Sequence, residues 1–165
     1  MIELPDTPLE LHANYSTAQV LAAFGVSTLE KRMPFREGVK YVDEYNADVF
    51  FITLRKSEKH FTETTLYEDY AIDANLFHWQ SQSRTTLSSP TGQRYVNQRS
   101  NSSKVILFAR EARNDENNKT DVFTCLGLAD YNSHQGSAPI SIIYKLRHKM
   151  PIQLMRVSNR FVNMG

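Results

Sequence analysis

Between Tyr67 and Tyr95 the chain crowds together aromatic, amide, hydroxyl and guanidinium side chains without a clean helical or strand period. If Phe77-His78-Trp79-Gln80-Ser81-Gln82-Ser83 is extended, Phe77, Trp79, Ser81 and Ser83 face one side and His78, Gln80 and Gln82 the other. A row of His and Gln side chains offers donors and acceptors of the kind that read base edges or bridge to phosphates. Thr91-Gly92-Gln93-Arg94-Tyr95 adds a glycine for close backbone approach, a guanidinium and an aromatic plane. Stacking on Trp or Tyr with Arg contacts to phosphate is a physical means of holding a single strand or a flipped base. The candidate nucleic-acid contacts are therefore Tyr70, His78, Trp79, Gln80, Gln82, Thr91, Gln93, Arg94 and Tyr95, bordered by Arg36, Arg55 and Lys56, with His134 from a later loop. The competing reading makes Trp79 a core anchor and leaves the amides to satisfy loop backbone.

Catalytic patterns are missing. No Asp/Glu-x-Lys triplet occurs, so the usual nuclease carboxylates and lysine cannot be placed, and there is no His-x-Lys pair. Cys-x-x-Cys and His-Glu-x-x-His spacings are absent, as is a glycine-rich phosphate loop. Cys125 lies inside the apolar run Val122-Phe123-Thr124-Cys125-Leu126, which suits a small core residue. His60, His78 and His134 have no evident catalytic partner. The expectation is a chain that binds rather than transforms, with no catalytic residue, metal or cofactor.

The elements that must position these residues are mostly strands. Ser16 with Gln19 forms a capping box, Tyr15 and Val20 are spaced as a hydrophobic staple, and Gly25 closes the helix begun at Ser16. Its apolar face is Val20, Leu21 and Phe24. Strands are expected over Asp48–Lys56, Lys104–Arg110, Asp121–Ala129 and Pro139–Arg147, the last with Ile140, Ile142, Tyr144 and Leu146 alternating with polar neighbours. Ser88–Gly92 reads as a turn, Asn132–Ala138 as a hairpin loop and Arg113–Thr120 as an exposed turn. The expected fold is α+β and β-dominated: a bent antiparallel sheet or barrel with a flanking N-terminal helix, in one domain over residues 1–165.

The bulk numbers agree. At 165 residues and 41% hydrophobic content the chain can bury a core without staples. One cysteine, no apolar run long enough for a bilayer, and an N-terminus lacking a basic-then-apolar signal point to a cytoplasmic protein with no membrane partner. Residues 1–80 hold 7 Lys/Arg against 13 Asp/Glu, a balance of −6, whereas residues 81–165 hold 12 against 5, a balance of +7. Either a basic face is offered to phosphate or the halves interleave in space and cancel.

Leu9 to Arg147 resembles, almost end to end, the domain of unknown function at the C-terminal end of certain bacterial DEAD/DEAH-box helicases, which often carry a phospholipase D-type nuclease domain. The matching stretches include His12–Ser16 with Leu21–Gly25, Arg36–Tyr41, Thr53–Lys59, Tyr67–Ile72, Phe77–Ser83, Ser89–Tyr95 and Leu126–Gly127 through Tyr131–Ser137. The resemblance implies DNA processing in restriction or phage defence, with this domain recognising the target and helicase and nuclease domains, in the same or a companion chain, as partners. No catalytic residue carries over. Neither helicase nor nuclease motifs occur here, so the chain is either a fragment of a longer protein or a free-standing relative. By analogy the architecture is similar to the pseudouridine-synthase-associated (PUA) and SET/RING-associated (SRA) folds that read modified or flipped bases. Three functions stay open: a DNA-recognition module reading modified or flipped bases, a protein-interaction domain docking on helicase or nuclease partners, and an unrecognised nuclease.

Overall fold

The computed structural model describes residues 9–26, 38–55, 69–112 and 122–156. Arg36, Lys56, His60 and the Arg113–Thr120 turn lie outside them. In chain order the elements are β1 (Asn14–Tyr15), α1 (Thr17–Ala23), β2 (Val39–Val42), β3 (Ala47–Arg55), β4 (Tyr70–Ala71), β5 (Leu76–Gln80), α2 (Pro90–Val96), α3 (Gln98–Asn101), β6 (Lys104–Ala112), β7 (Phe123–Gln135) and β8 (Ser141–Leu146). The strands form one β-dominated mixed sheet in the order β2-β3-β6-β7-β8-β5-β4, with β1 added to β7.

The helix forms where its local signals place it. Ser16 Oγ accepts from the Gln19 backbone N–H while Gln19 Oε1 accepts from that of Ser16. At the other end Gly25, at φ +73°, and Val26 donate back to the carbonyls of Ala22 and Leu21. These two bonds satisfy carbonyls the helix end would otherwise leave open. Val20, Leu21 and Phe24 are buried with Leu9, Val49, Phe51, Ile106, Phe108, Phe123 and Cys125.

The sheet is covered on both sides at β3 and β6. Val49 and Phe51 face α1, whereas Phe50, Ile52 and Leu54 enter a second cluster. Ile106 and Phe108 alternate in the same way with Val105, Leu107 and Ala109. Burial on both faces explains why these two strands read as nearly unbroken apolar runs, and the pair is parallel. The crossover between them carries β4, β5, α2 and α3.

Two bulges re-aim β7. Register slips opposite Leu107/Phe108, where Gly127 takes φ +81°, and again between Tyr131 and Ser133. The first changes the phase of burial: Phe123 and Cys125 face α1, and beyond the bulge Leu128 does. Curvature then closes the second cluster. Phe50 on β3 lies 4.3 Å, ring centre to ring centre, from Trp79 on β5, although β6, β7 and β8 separate those strands in the sheet. The strongly bent sheet is the expected one. Strand β7, however, runs on to Gln135, because Ser133 to Gln135 pair with β8 where a loop from Asn132 was expected.

Candidate functional site

Strand alternation decides where each candidate residue faces. On β5, Phe77 and Trp79 are buried in the concave cluster, whereas His78 and Gln80 point to the outer face. Trp79 is 5% exposed and packs against Phe50, Tyr95 and Tyr144. Tyr95, on α2, is 1% exposed. Both rings belong to the core, so neither offers a stacking surface in this conformation.

Arg94 has a partner that the sequence alone does not reveal. Its Nε donates to both oxygens of Asp48, at 3.1 and 2.9 Å, and its Nη2 donates to Oδ1 at 2.9 Å. The guanidinium also lies 4.2 Å over the Tyr41 ring. Asp48 is 1% exposed. Burial pushes its carboxyl above the ordinary range, against the opposing pull of Arg94's hydrogen bonds and charge. Burial also works against the guanidinium charge, but the bonds to Asp48 and its charge outweigh it and hold Arg94 above its usual value. Nearby, the Tyr144 hydroxyl is buried with no hydrogen-bond partner among the described residues. Burial lifts that phenol well above its usual value, and the charge of Asp48 adds to the effect.

The amides of the middle segment are largely spent on structure. Gln82 Oε1 accepts from Thr85 Oγ1, and Gln93 Nε2 donates to the Leu87 carbonyl at 2.7 Å. Gln80 Nε2 donates to Ser141 Oγ at 3.2 Å. Ser88–Gly92 is not the expected turn throughout. Ser89 caps α2 by accepting from the Gly92 N–H, and Pro90 stands at the first turn, where its missing N–H is harmless. Gly92 serves a protein contact: a methyl group there would sit 2.1 Å from the Thr86 carbonyl oxygen.

The remaining candidates fall on opposite sides of the sheet. On the outer face, Tyr70 stacks on His78 with centres 4.6 Å apart, and the row continues in register to Ile143 on β8 and Ser133 on β7. Beside it runs Gln80, Ser141 and Gln135. On the concave side lie Gln82, Thr91, Gln93 and Arg94, with exposed His134, whose Nδ1 meets the Tyr131 hydroxyl. A single surface joining His78 and Gln80 to Gln93 and Arg94 is therefore not formed, because the sheet stands between them. Arg55 is placed by its backbone at the end of β3. Asp48, Tyr41 and Tyr144 are not among the candidate site residues that the sequence suggests. An aspartate at the head of an apolar strand was the available signal for the first of them.

Among the described residues no cluster of three or more His, Cys, Asp or Glu is close enough to hold a metal, and no helix is long and apolar enough to cross a membrane. No curated protein matches the chain. Among solved structures, the fold is similar to that of Arabidopsis thaliana SUVH6, determined in complex with SAM, with a TM-score of 0.52 at 9% sequence identity. The match covers 94% of this chain but 29% of the SUVH6 chain, so the likeness is one of fold. The model of a domain of unknown function, DUF3427, matches residues 9–157, and the chain belongs to that family.

Proposed function

We propose that this chain is a nucleic-acid-binding module that recognises DNA, reading a modified or flipped base, and that it works beside helicase and nuclease domains in restriction or phage defence. The observation that carries the reading is the outer face of β4, β5 and β8. It sets a stacked Tyr70–His78 pair beside Gln80 and Ser141 on a bent sheet of the SET/RING-associated kind. Aromatic planes and amides in fixed rows supply the two elements of base recognition, stacking and edge hydrogen bonds. The test is a gel-shift panel of single strands, plain duplexes, and duplexes carrying methylated, hydroxymethylated or phosphorothioate positions. Salt-dependent retardation of at least one class is expected, with a preference among the modified duplexes. Absence of any shift across the panel at low salt would sink the proposal.

A further inference from the structure

Lys145, Arg147, Lys149 and Arg156 project from the end of β8 and the segment after it, and all four are exposed. No Asp or Glu occurs from Ser141 to Arg156. Asp130 stands opposite Lys145 in the β7–β8 register and pairs with Arg147 at 3.0 Å. The carboxylate of Asp73, on the neighbouring β4–β5 turn, accepts from the backbone N–H groups of Asn75 and Leu76. Positive charge is therefore left in excess along this rim.

The cations stand on a fixed frame. The backbone N–H groups of Leu146, Arg147 and Met150 donate to the carbonyls of Asn75, Leu128 and Ala74 at 2.6, 3.1 and 2.8 Å. Met150 is 4% exposed and anchors the turn in the concave core. Lys145 lies on the outer face, two residues along β8 from Ile143, so the rim continues the surface that carries His78 and Gln80. Arg94, the cation most prominent in the sequence, is committed to Asp48 instead.

We propose that this rim is a phosphodiester-binding surface that holds the nucleic-acid backbone while the adjoining sheet face meets the bases. The inference rests on the nucleic-acid reading above and adds the backbone contacts to it. Phosphate contacts set register and orientation, and each releases counterions on binding.

The experiment compares the full chain with K145Q/K149Q/R156Q, leaving Arg147 with its partner, and with K40Q on β2 at the far edge of the sheet. Fluorescence anisotropy with short labelled duplex and single-stranded DNA is measured over a range of salt. The triple variant is expected to bind roughly 10–100-fold more weakly, with a salt slope shallower by about two to three, while K40Q follows the parent. Thermal melts accompany the titrations, and Lys149→Gln alone, expected to flatten the slope by about one, serves should the triple variant melt early. Parent-like affinity and slope in the triple variant overturn the inference and leave the nucleic-acid reading standing. A parent that binds neither DNA overturns both. Binding of phosphatidylserine vesicles in place of DNA assigns the cations to a membrane surface and overturns the inference as well.

Discussion

Arg94 looks in the sequence like a free phosphate ligand, yet it is the counter-ion of a buried carboxylate. Removing one member of such a pair strands the other charge in the core, a loss of about 3–5 kcal/mol. Arg94→Ala is therefore expected to shift urea unfolding by that order. Lysine should rescue little, because it cannot reproduce the two-pronged geometry on Asp48. Removing both charges should cost much less than the sum of the single losses, and additive losses would mean the two side chains do not interact. Cys125 offers a pH test. Burial pushes its thiol up to about 11 from 9.0. Between those values the unfolded chain has lost the proton and the folded one keeps it, so stability is complete below pH 9 and falls as pH rises toward 11. The loss from this group is about 2–3 kcal/mol. The buried Tyr144 phenol acts in the same direction. Cys125→Ala should therefore flatten the decline between pH 9 and 11, whatever it does to stability at pH 7; an unchanged slope would show that the thiol does not contribute.

At the scale of elements, α2 is the instructive case. Seven residues containing Pro, Gly and Val give no usable period, so the stretch reads as a turn although Ser89-Pro90 is a sound helix start. What holds it is tertiary: Tyr95 in the aromatic core, Arg94 on Asp48, and Gly92 against the Thr86 carbonyl. Alanine ordinarily favours a helix over glycine by about 1 kcal/mol. Here the added methyl would clash with backbone, and Gly92→Ala is expected to lower stability by roughly 1–3 kcal/mol net, read from thermal melts. A stabilised variant would mean that the helix does not sit this close. The elements that were legible, α1, β3, β6 and β8, each carry their own signal: a capping box, a long apolar run or clean alternation. Strand β5 was legible only in its alternation, which places Phe77 and Trp79 inward. The long reach of β7 was not, because Asn132 to Gln135 have turn-forming composition and are held extended by β8. Of the candidate site, the residue types were legible and their grouping was not, since which face each presents depends on pairings more than 40 residues apart.

On the scale of the whole molecule, strands β3 and β5 from the acidic half pair with β6 and β8 from the basic one, so among the described residues the two halves interleave in one sheet. The sheet then has two unequal sides. The concave side is filled by Phe50, Trp79, Tyr95 and Tyr144, whereas the outer side of β4, β5 and β8 keeps Tyr70, His78, Gln80 and Ser141 half-exposed. A binding site built on the outer face makes a side-specific prediction. Tyr70→Ala with Gln80→Ala removes one stacking plane and one amide, so DNA affinity should fall by roughly 1–3 kcal/mol for each of the two side chains. Stability should move by about 1 kcal/mol or less, since neither side chain belongs to the buried clusters. Thr91→Ala with Gln93→Ala, on the α2 side, should leave affinity at the parent value. Titrating both double variants against the duplex that the parent binds best, with unfolding curves alongside, separates the faces. If the α2 pair loses affinity and the outer pair keeps it, the site belongs beside α2, and the sheet face has only a structural part.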